Sequence, residues 1–135
     1  MYMLDTNICI YIRKTQPPEV LAHFRKATPG SLCMSAITFA ELMHGASKSQ
    51  AVAANLARLR VLRQQVPILP FDEPAAELYG AIRADLERRG ELIGSNDLLI
   101  SAHALSVGMI LVTNNEKEFR RVQGLRVENW VSGAP

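Results

Sequence analysis

YMLDTNICIYI, residues 2–12, predicts a strand that leads directly into a helix. The short apolar run ends at Asp5, Thr6 and Asn7, and side chains of these types commonly cap the first turn of a helix, here with the apolar body ICIYI. A strand followed at once by a helix is the building unit of an α/β sheet.

The same alternation of strands and helices continues along the chain. Further strands are predicted at 31–37, 68–71 and 109–113, and the last of them, MILVT, is apolar throughout, as expected for a strand covered on both faces. Helices are predicted at 17–27, 38–49, 50–66 and 73–90 and from about Ser95, where the helix is largely apolar all round and is expected to be central and buried. We therefore expect a single α/β domain over residues 1–135, with a central, mostly parallel sheet of four to five strands and helices on both faces.

The composition is that of a globular protein and excludes disorder over most of the chain. A net charge of +2 permits a nucleic-acid partner without arguing for one. Cys9 and Cys33 lack metal-site or redox-motif spacing, which predicts buried free thiols in a reducing compartment. No signal peptide or apolar run of membrane-spanning length is recognisable, so we expect a cytoplasmic protein with no membrane partner.

Three acidic residues occupy comparable positions in this pattern. Asp5 ends the first strand, Glu41 is predicted in the first turn of the helix after the second strand, and Asp97 opens the buried helix before the fourth. Open α/β sheets bind ligands beyond the carboxyl ends of their strands, where helix N-termini also gather. The three acids are therefore expected at one edge of the sheet.

Each acid also has an ordinary structural explanation. Asp5 could cap its helix, Thr38 and Glu41 fit the Thr-x-x-Glu capping box, and Asp97 could complement the helix dipole. Taken together these explanations weaken, because carboxylates that share one recess repel each other unless a cation joins them. Oxygen ligands without thiolates or paired histidines favour Mg²⁺, with Mn²⁺ as a possible substitute.

The three histidines are poor candidates for catalysis. His103 is six residues beyond Asp97 and so lies off its helix face, and we interpret it as a core histidine hydrogen-bonded to the backbone. His23 and His44 have no metal-ligand spacing either.

Four stretches, in order, resemble the motifs of PIN domains of the VapC toxin type. They are MLDTNICIYI (3–12), ITFAELMHGA (37–46), IGSNDLLISAHAL (93–105) and ILVTNNEKEF (110–119). Any one of them alone would be a weak signal, but the four together span nearly the whole chain. The resemblance implies a PIN fold.

The resemblance also implies a function. Members of this family are magnesium-dependent endoribonucleases that cut structured RNA, often tRNA, and halt translation as toxins of type II toxin–antitoxin pairs. They usually form homodimers and are silenced by a VapB-type antitoxin. Carried over to this chain, Asp5, Glu41 and Asp97 match the acids that bind or support the metal, with Asp5 and Asp97 as its direct ligands.

The chain departs from the family pattern after the fourth strand. Many PIN domains have an aspartate where this chain has Asn115, and Glu118 either supplies the missing charge or is simply an exposed acid in a first helical turn. A one-metal and a two-metal site are equally consistent with this difference. Asn115 could still accept a hydrogen bond or orient a water molecule, and we expect Thr6, Asn7 and Thr113 to orient the acids.

Two other classes of function remain open on the sequence. The chain could be a catalytically weak PIN-fold module that binds RNA or a partner, because it lacks an aspartate at position 115. A phospho-accepting receiver domain would also hold Mg²⁺ with acids at strand ends. It would need an acidic pair near the first strand and a lysine after a late strand, and neither occurs in the expected context.

Overall fold

The computed structural model describes residues 1–131, so residues 132–135 of the predicted domain lie outside the described part. Strands and helices alternate as expected. The elements are β1 (Tyr2–Leu4), α1 (Thr6–Lys14), α2 (Pro18–Lys26), β2 (Leu32–Ser35), α3 (Ala36–Ser47), α4 (Val52–Gln65), β3 (Ile68–Leu69), α5 (Glu73–Arg88), α6 (Ser95–Ser106), β4 (Ile110–Val112), α7 (Glu116–Phe119) and β5 (Val127–Glu128).

The sheet has five strands in the order β3-β2-β1-β4-β5, and every neighbouring pair is parallel. This confirms the prediction of an α/β fold with a parallel sheet of four to five strands. The chain builds outward from β1 to β2 and β3 and then crosses to β4 on the other side of β1. The strand order thus reverses between β1 and β4, where open α/β sheets form their ligand crevice. Asp5 and Thr113 directly follow these two strands.

Helices cover both faces of the sheet, because successive strand residues point to opposite sides. Leu4 belongs to the apolar cluster that includes residues of α1, α3 and α4. Its neighbour Met3 belongs to the cluster on the opposite face, with Ile100 of α6 and Phe119 of α7. α6 is buried along most of its length and packs against α5, which confirms that it is the central helix.

The boundary between β2 and α3 differs from the prediction. The predicted strand at 31–37 ends at Ser35, because the Ser35 hydroxyl accepts the N–H of Ile37 at 3.0 Å and caps α3. The Thr38–Glu41 capping box is therefore wrong. Glu41 is the sixth residue of α3 and lies in its second turn, not its first.

Two further expectations concern the whole chain. Cys9 and Cys33 are both buried and unpaired, as predicted. Within residues 1–131, none of the helices combines the length and the apolar character needed to cross a bilayer.

Candidate metal centre

Asp5 lies at the crevice between β1 and β4 and is almost completely buried, with 4% of its surface exposed. Its Oδ1 accepts the Ile8 N–H at 2.9 Å, so the residue does cap α1. Its Oδ2 accepts the hydroxyl proton of Thr113, and the Thr113 oxygen in turn accepts the N–H of Asn115 at 2.9 Å. This chain of donors directs the Thr113 proton at Asp5 and fixes the orientation of the carboxylate.

The charge on Asp5 is only partly compensated. Burial raises the pKa of Asp5 from 3.8 to about 6, against the hydrogen bonds from Thr113 and Ile8, which lower it. The negative charges of Asp97 and Glu41 raise it further. Capping alone would not require a buried carboxylate to face two other acids.

Asp97 lies in the first turn of α6, is partly buried, and is near enough to Asp5 for its charge to raise the pKa of Asp5. The pKa of Asp97 is raised from 3.8 to about 6. Burial is the largest cause, and the negative charges of Glu118 and then Glu41 also raise it. Asp5, Glu41, Asp97 and Glu118 thus interact electrostatically although they are far apart in sequence, and together we call them the acidic recess.

Glu41 is held in place by two hydrogen bonds from different helices. Its Oε1 accepts the hydroxyl proton of Thr6, and its Oε2 accepts the side-chain amide of Asn96 at 3.2 Å. The buried Thr38 hydroxyl lies 3.4 Å from that of Thr6. Asn96 was not among the predicted site residues, although its place beside Asp97 in the first turn of α6 was a signal that could have found it.

The other predicted residues have different roles. Glu118 is partly buried and lies close enough to Asp97 to raise its pKa, so its charge is beside the recess. The backbone N–H of Asn115 donates to the Thr113 hydroxyl, which in turn donates to Asp5, so Asn115 supports Asp5 indirectly. Asn7 is exposed, and among residues 1–131 its side chain makes no hydrogen bond to the recess.

His103 is buried as predicted, but its hydrogen-bond partner is not the backbone. Its Nδ1 lies 2.7 Å from the Ser35 hydroxyl, 68 positions away in sequence, a pairing that helical periodicity cannot reveal. His23 stacks on Trp130 with ring centroids 5.2 Å apart, and His44 is exposed. None of the three histidines contributes to the electrostatics of Asp5 or Asp97.

The residues of the acidic recess fit a magnesium ion. No salt bridge within residues 1–131 involves any of its carboxylates, so the charge lacks a protein cation. No ready-made cage of three or more acidic, histidine or cysteine side chains is found in that part of the chain. Mg²⁺ does not need one, because it is usually held by one or two carboxylates and keeps several waters. Asp5 and Asp97 would supply that number of ligands, all of them oxygen.

The sequence matches the PIN domain family over residues 2–125. This chain belongs to the PIN domain family. The match confirms the fold that the motifs implied, and it covers every residue of the acidic recess.

Individual relatives of this PIN domain are VapC proteins. Ribonuclease VapC2 of Haemophilus influenzae is 48% identical over 130 residues, which is 96% of this chain and 98% of the relative. The tRNA(fMet)-specific endonuclease VapC of Shigella flexneri is 45% identical over 129 residues, 96% of this chain and 97% of the relative. The crystal structure of VapBC2 from Rickettsia felis, bound to a DNA fragment from its promoter, matches with a TM-score of 0.90, 38% identity and coverage of 96% and 98%. The resemblance to the VapC type is therefore confirmed.

Proposed function

We propose that this PIN domain is the toxin of a type II toxin–antitoxin pair, a magnesium-dependent endoribonuclease that hydrolyses phosphodiester bonds in structured RNA, tRNA foremost, and so inhibits translation. The observation that carries the proposal is the acidic recess at the β1/β4 crevice. Its two aspartates have pKa values of about 6, and no basic side chain in residues 1–131 is paired with them.

The hydrogen bonds in the acidic recess leave its carboxylate oxygens free to bind a cation or a water molecule. Each oxygen of Asp5 accepts one hydrogen bond and keeps a lone pair for a cation. The Asp97 carboxylate accepts none within the described residues, so both of its oxygens are available. Each Glu41 oxygen also keeps a lone pair, with which it can orient a water molecule or take its proton.

A magnesium ion supplies electrophilic chemistry when bound: it lowers the pKa of a coordinated water and offsets the charge that grows on the phosphate oxygens. The side chains around it hold it and orient the attacking water. No nucleophile from the protein is required.

Substrate and partner are proposed from the relatives. The Shigella flexneri relative is named as specific for tRNA(fMet), and the Rickettsia felis structure is of a VapBC assembly. We propose a tRNA substrate, a VapB-type antitoxin and a homodimer for this chain as well. An antitoxin is expected to place a basic side chain in the acidic recess, since opposite charge there would replace the cation. A cytoplasmic location is supported by the buried free thiols of Cys9 and Cys33.

The test is cleavage of total tRNA by the purified protein, with Mg²⁺ or with EDTA. We expect cutting only with Mg²⁺, products with 5′-phosphate and 3′-hydroxyl ends, and no cutting by Asp97→Asn. The matched control is Asp85→Asn, which removes the charge of a partly exposed acid paired with Arg89 outside the acidic recess. Cutting that persists in EDTA and leaves cyclic phosphate ends would refute the proposal.

A binding module without activity is the second candidate, because Asn115 stands after β4 where many PIN domains have an aspartate. Expression in cells separates the two functions. If growth arrest depends on catalysis, Asp5→Asn and Asp97→Asn abolish it. Growth arrest that is unchanged in both variants would favour the binding module.

A further inference from the structure

Two polar contacts join α6 to α3 and its N-cap residue Ser35, and each involves a residue within seven positions of an acid of the recess. At one end, the Asn96 amide donates to Glu41 at 3.2 Å. At the other, the Ser35 hydroxyl and Nδ1 of His103 are 2.7 Å apart. The two helices run antiparallel, because Ser35 pairs with His103 and Glu41 with Asn96. Ser35 and Glu41 are six residues apart and Asn96 and His103 seven, so the spacings match at roughly 9 and 10.5 Å of helix.

The proton in the second contact can be assigned. The Ser35 oxygen already accepts the N–H of Ile37, and Ser35 is completely buried, so its one hydroxyl proton needs an acceptor. His103 is 1% exposed, and burial lowers its pKa, opposed by the charge of Asp72. A neutral His103 with its proton on Nε2 accepts the Ser35 proton at Nδ1, which gives the Ser35 hydroxyl its acceptor.

His103 is too deeply buried to touch a substrate. Ile100, Ala102 and Ala104 of α6 are fully buried and apolar, so an apolar side chain at position 103 would have been the simpler choice for packing. A buried polar pair joined by a hydrogen bond instead favours one arrangement of the elements that it joins. Here it joins the N-terminus of the helix that carries Glu41 to the helix that carries Asp97.

We propose that Ser35 and His103 are positioning residues that fix the axial register of α6 against α3, and thereby the placement of Asp97 relative to Glu41 around a bound divalent cation. This inference rests on the proposed function. A shift of α6 by one residue relative to α3 moves Asp97 by about 1.5 Å along the helix axis. Misplacement of a reacting group by about 1 Å can cost around 100-fold in rate.

The test measures Mn²⁺ alone, by electron paramagnetic resonance titration, together with kcat and KM for RNA cleavage. His103→Leu and Ser35→Ala should each weaken Mn²⁺ binding by about 10- to 100-fold. The double variant should be no weaker than the worse single variant, because both changes remove the same contact. We expect kcat to fall while KM for RNA stays the same.

Two further variants separate positioning from stability. Ile100→Val removes one buried methyl group from α6, so it should lower Tm while Mn²⁺ binding stays unchanged. His103→Asn keeps a polar atom near the position of Nδ1 and should restore much of the affinity that His103→Leu loses. If His103→Leu fails to fold, Ser35→Ala and His103→Asn decide the question.

Variants of Ser35 and His103 that lower Tm yet bind Mn²⁺ with wild-type affinity would overturn the inference, as would losses of affinity that simply add in the double variant. Failure of the wild-type protein to bind Mn²⁺ would instead refute the proposed function. The two failures are therefore distinguishable.

Discussion

Replacing Asp5 by asparagine is expected to stabilise the metal-free protein while removing its response to Mg²⁺. Asp5 has a pKa of about 6 in the folded protein and 3.8 as its ordinary value. Between about pH 4 and pH 6, the folded state therefore still holds a proton on Asp5 that the unfolded state has already released. The stability that this proton linkage contributes is complete below pH 4 and is lost as the pH rises through 6.

The size of the effect follows from the difference in pKa. A rise from 3.8 to about 6 corresponds to about 3 kcal/mol of lost stability at neutral pH, at roughly 1.4 kcal/mol per pH unit. Asparagine removes that penalty but weakens the hydrogen bonds from Ile8 and Thr113, which costs about 1–2 kcal/mol. We expect a net gain of about 1–2 kcal/mol, or roughly 3–8 °C in Tm.

The assay is thermal unfolding in EDTA from pH 4.5 to 8, repeated with Mg²⁺. The Tm of the wild-type protein should fall as the pH rises through 6, and that of Asp5→Asn should fall less, because only Asp97 then still has a pKa raised to about 6. Mg²⁺ should raise the Tm of the wild-type protein only. Asp85→Asn serves as the control because Asp85 is paired with Arg89, which lowers its pKa, so neutralising it gives no stabilisation. The reasoning is refuted if Asp5→Asn is no more stable than wild type at pH 7 in EDTA, or responds to Mg²⁺ equally.

The contacts around the two aspartates give two more expectations. Thr113→Val removes the hydroxyl that donates to Asp5 at nearly constant volume, so Mn²⁺ affinity should drop about 10- to 100-fold in a calorimetric titration; an unchanged affinity would contradict this. Glu118→Gln removes a charge that raises the pKa of Asp97, so the acidic limb of the kcat/KM profile should move to lower pH. Glu116→Gln, on the same helix but paired with Arg120, should leave the profile in place, and identical profiles for the two variants would count against a role for Glu118.

The sequence predicted the fold because the elements that determine it carry strong periodic signals. The apolar run of β4, the largely apolar α6 and the strand that leads into a cap at Asp5 each depend on neighbouring residues, and all three were located correctly. The placement of Asp5 and Asp97 at one edge followed from the geometry of parallel strands.

The details that could not be predicted depend on contacts across the fold. Glu41 lies one turn further into its helix than expected, because Ser35 caps α3 and Thr38 does not. Nothing local reveals that Ser35 is also the partner of His103. The four residues of α7 and the two of β5 are too few for any period to appear.

The central claim is that Asp5 and Asp97, from different elements of the fold, share one divalent cation. The most direct measurement is the anomalous difference map of crystals grown with Mn²⁺. The account predicts a peak in the acidic recess between the two aspartates, at about 2.1 Å from an oxygen of each or one water removed. A map with no peak there, or with Mn²⁺ bound only at exposed acids elsewhere, would contradict it.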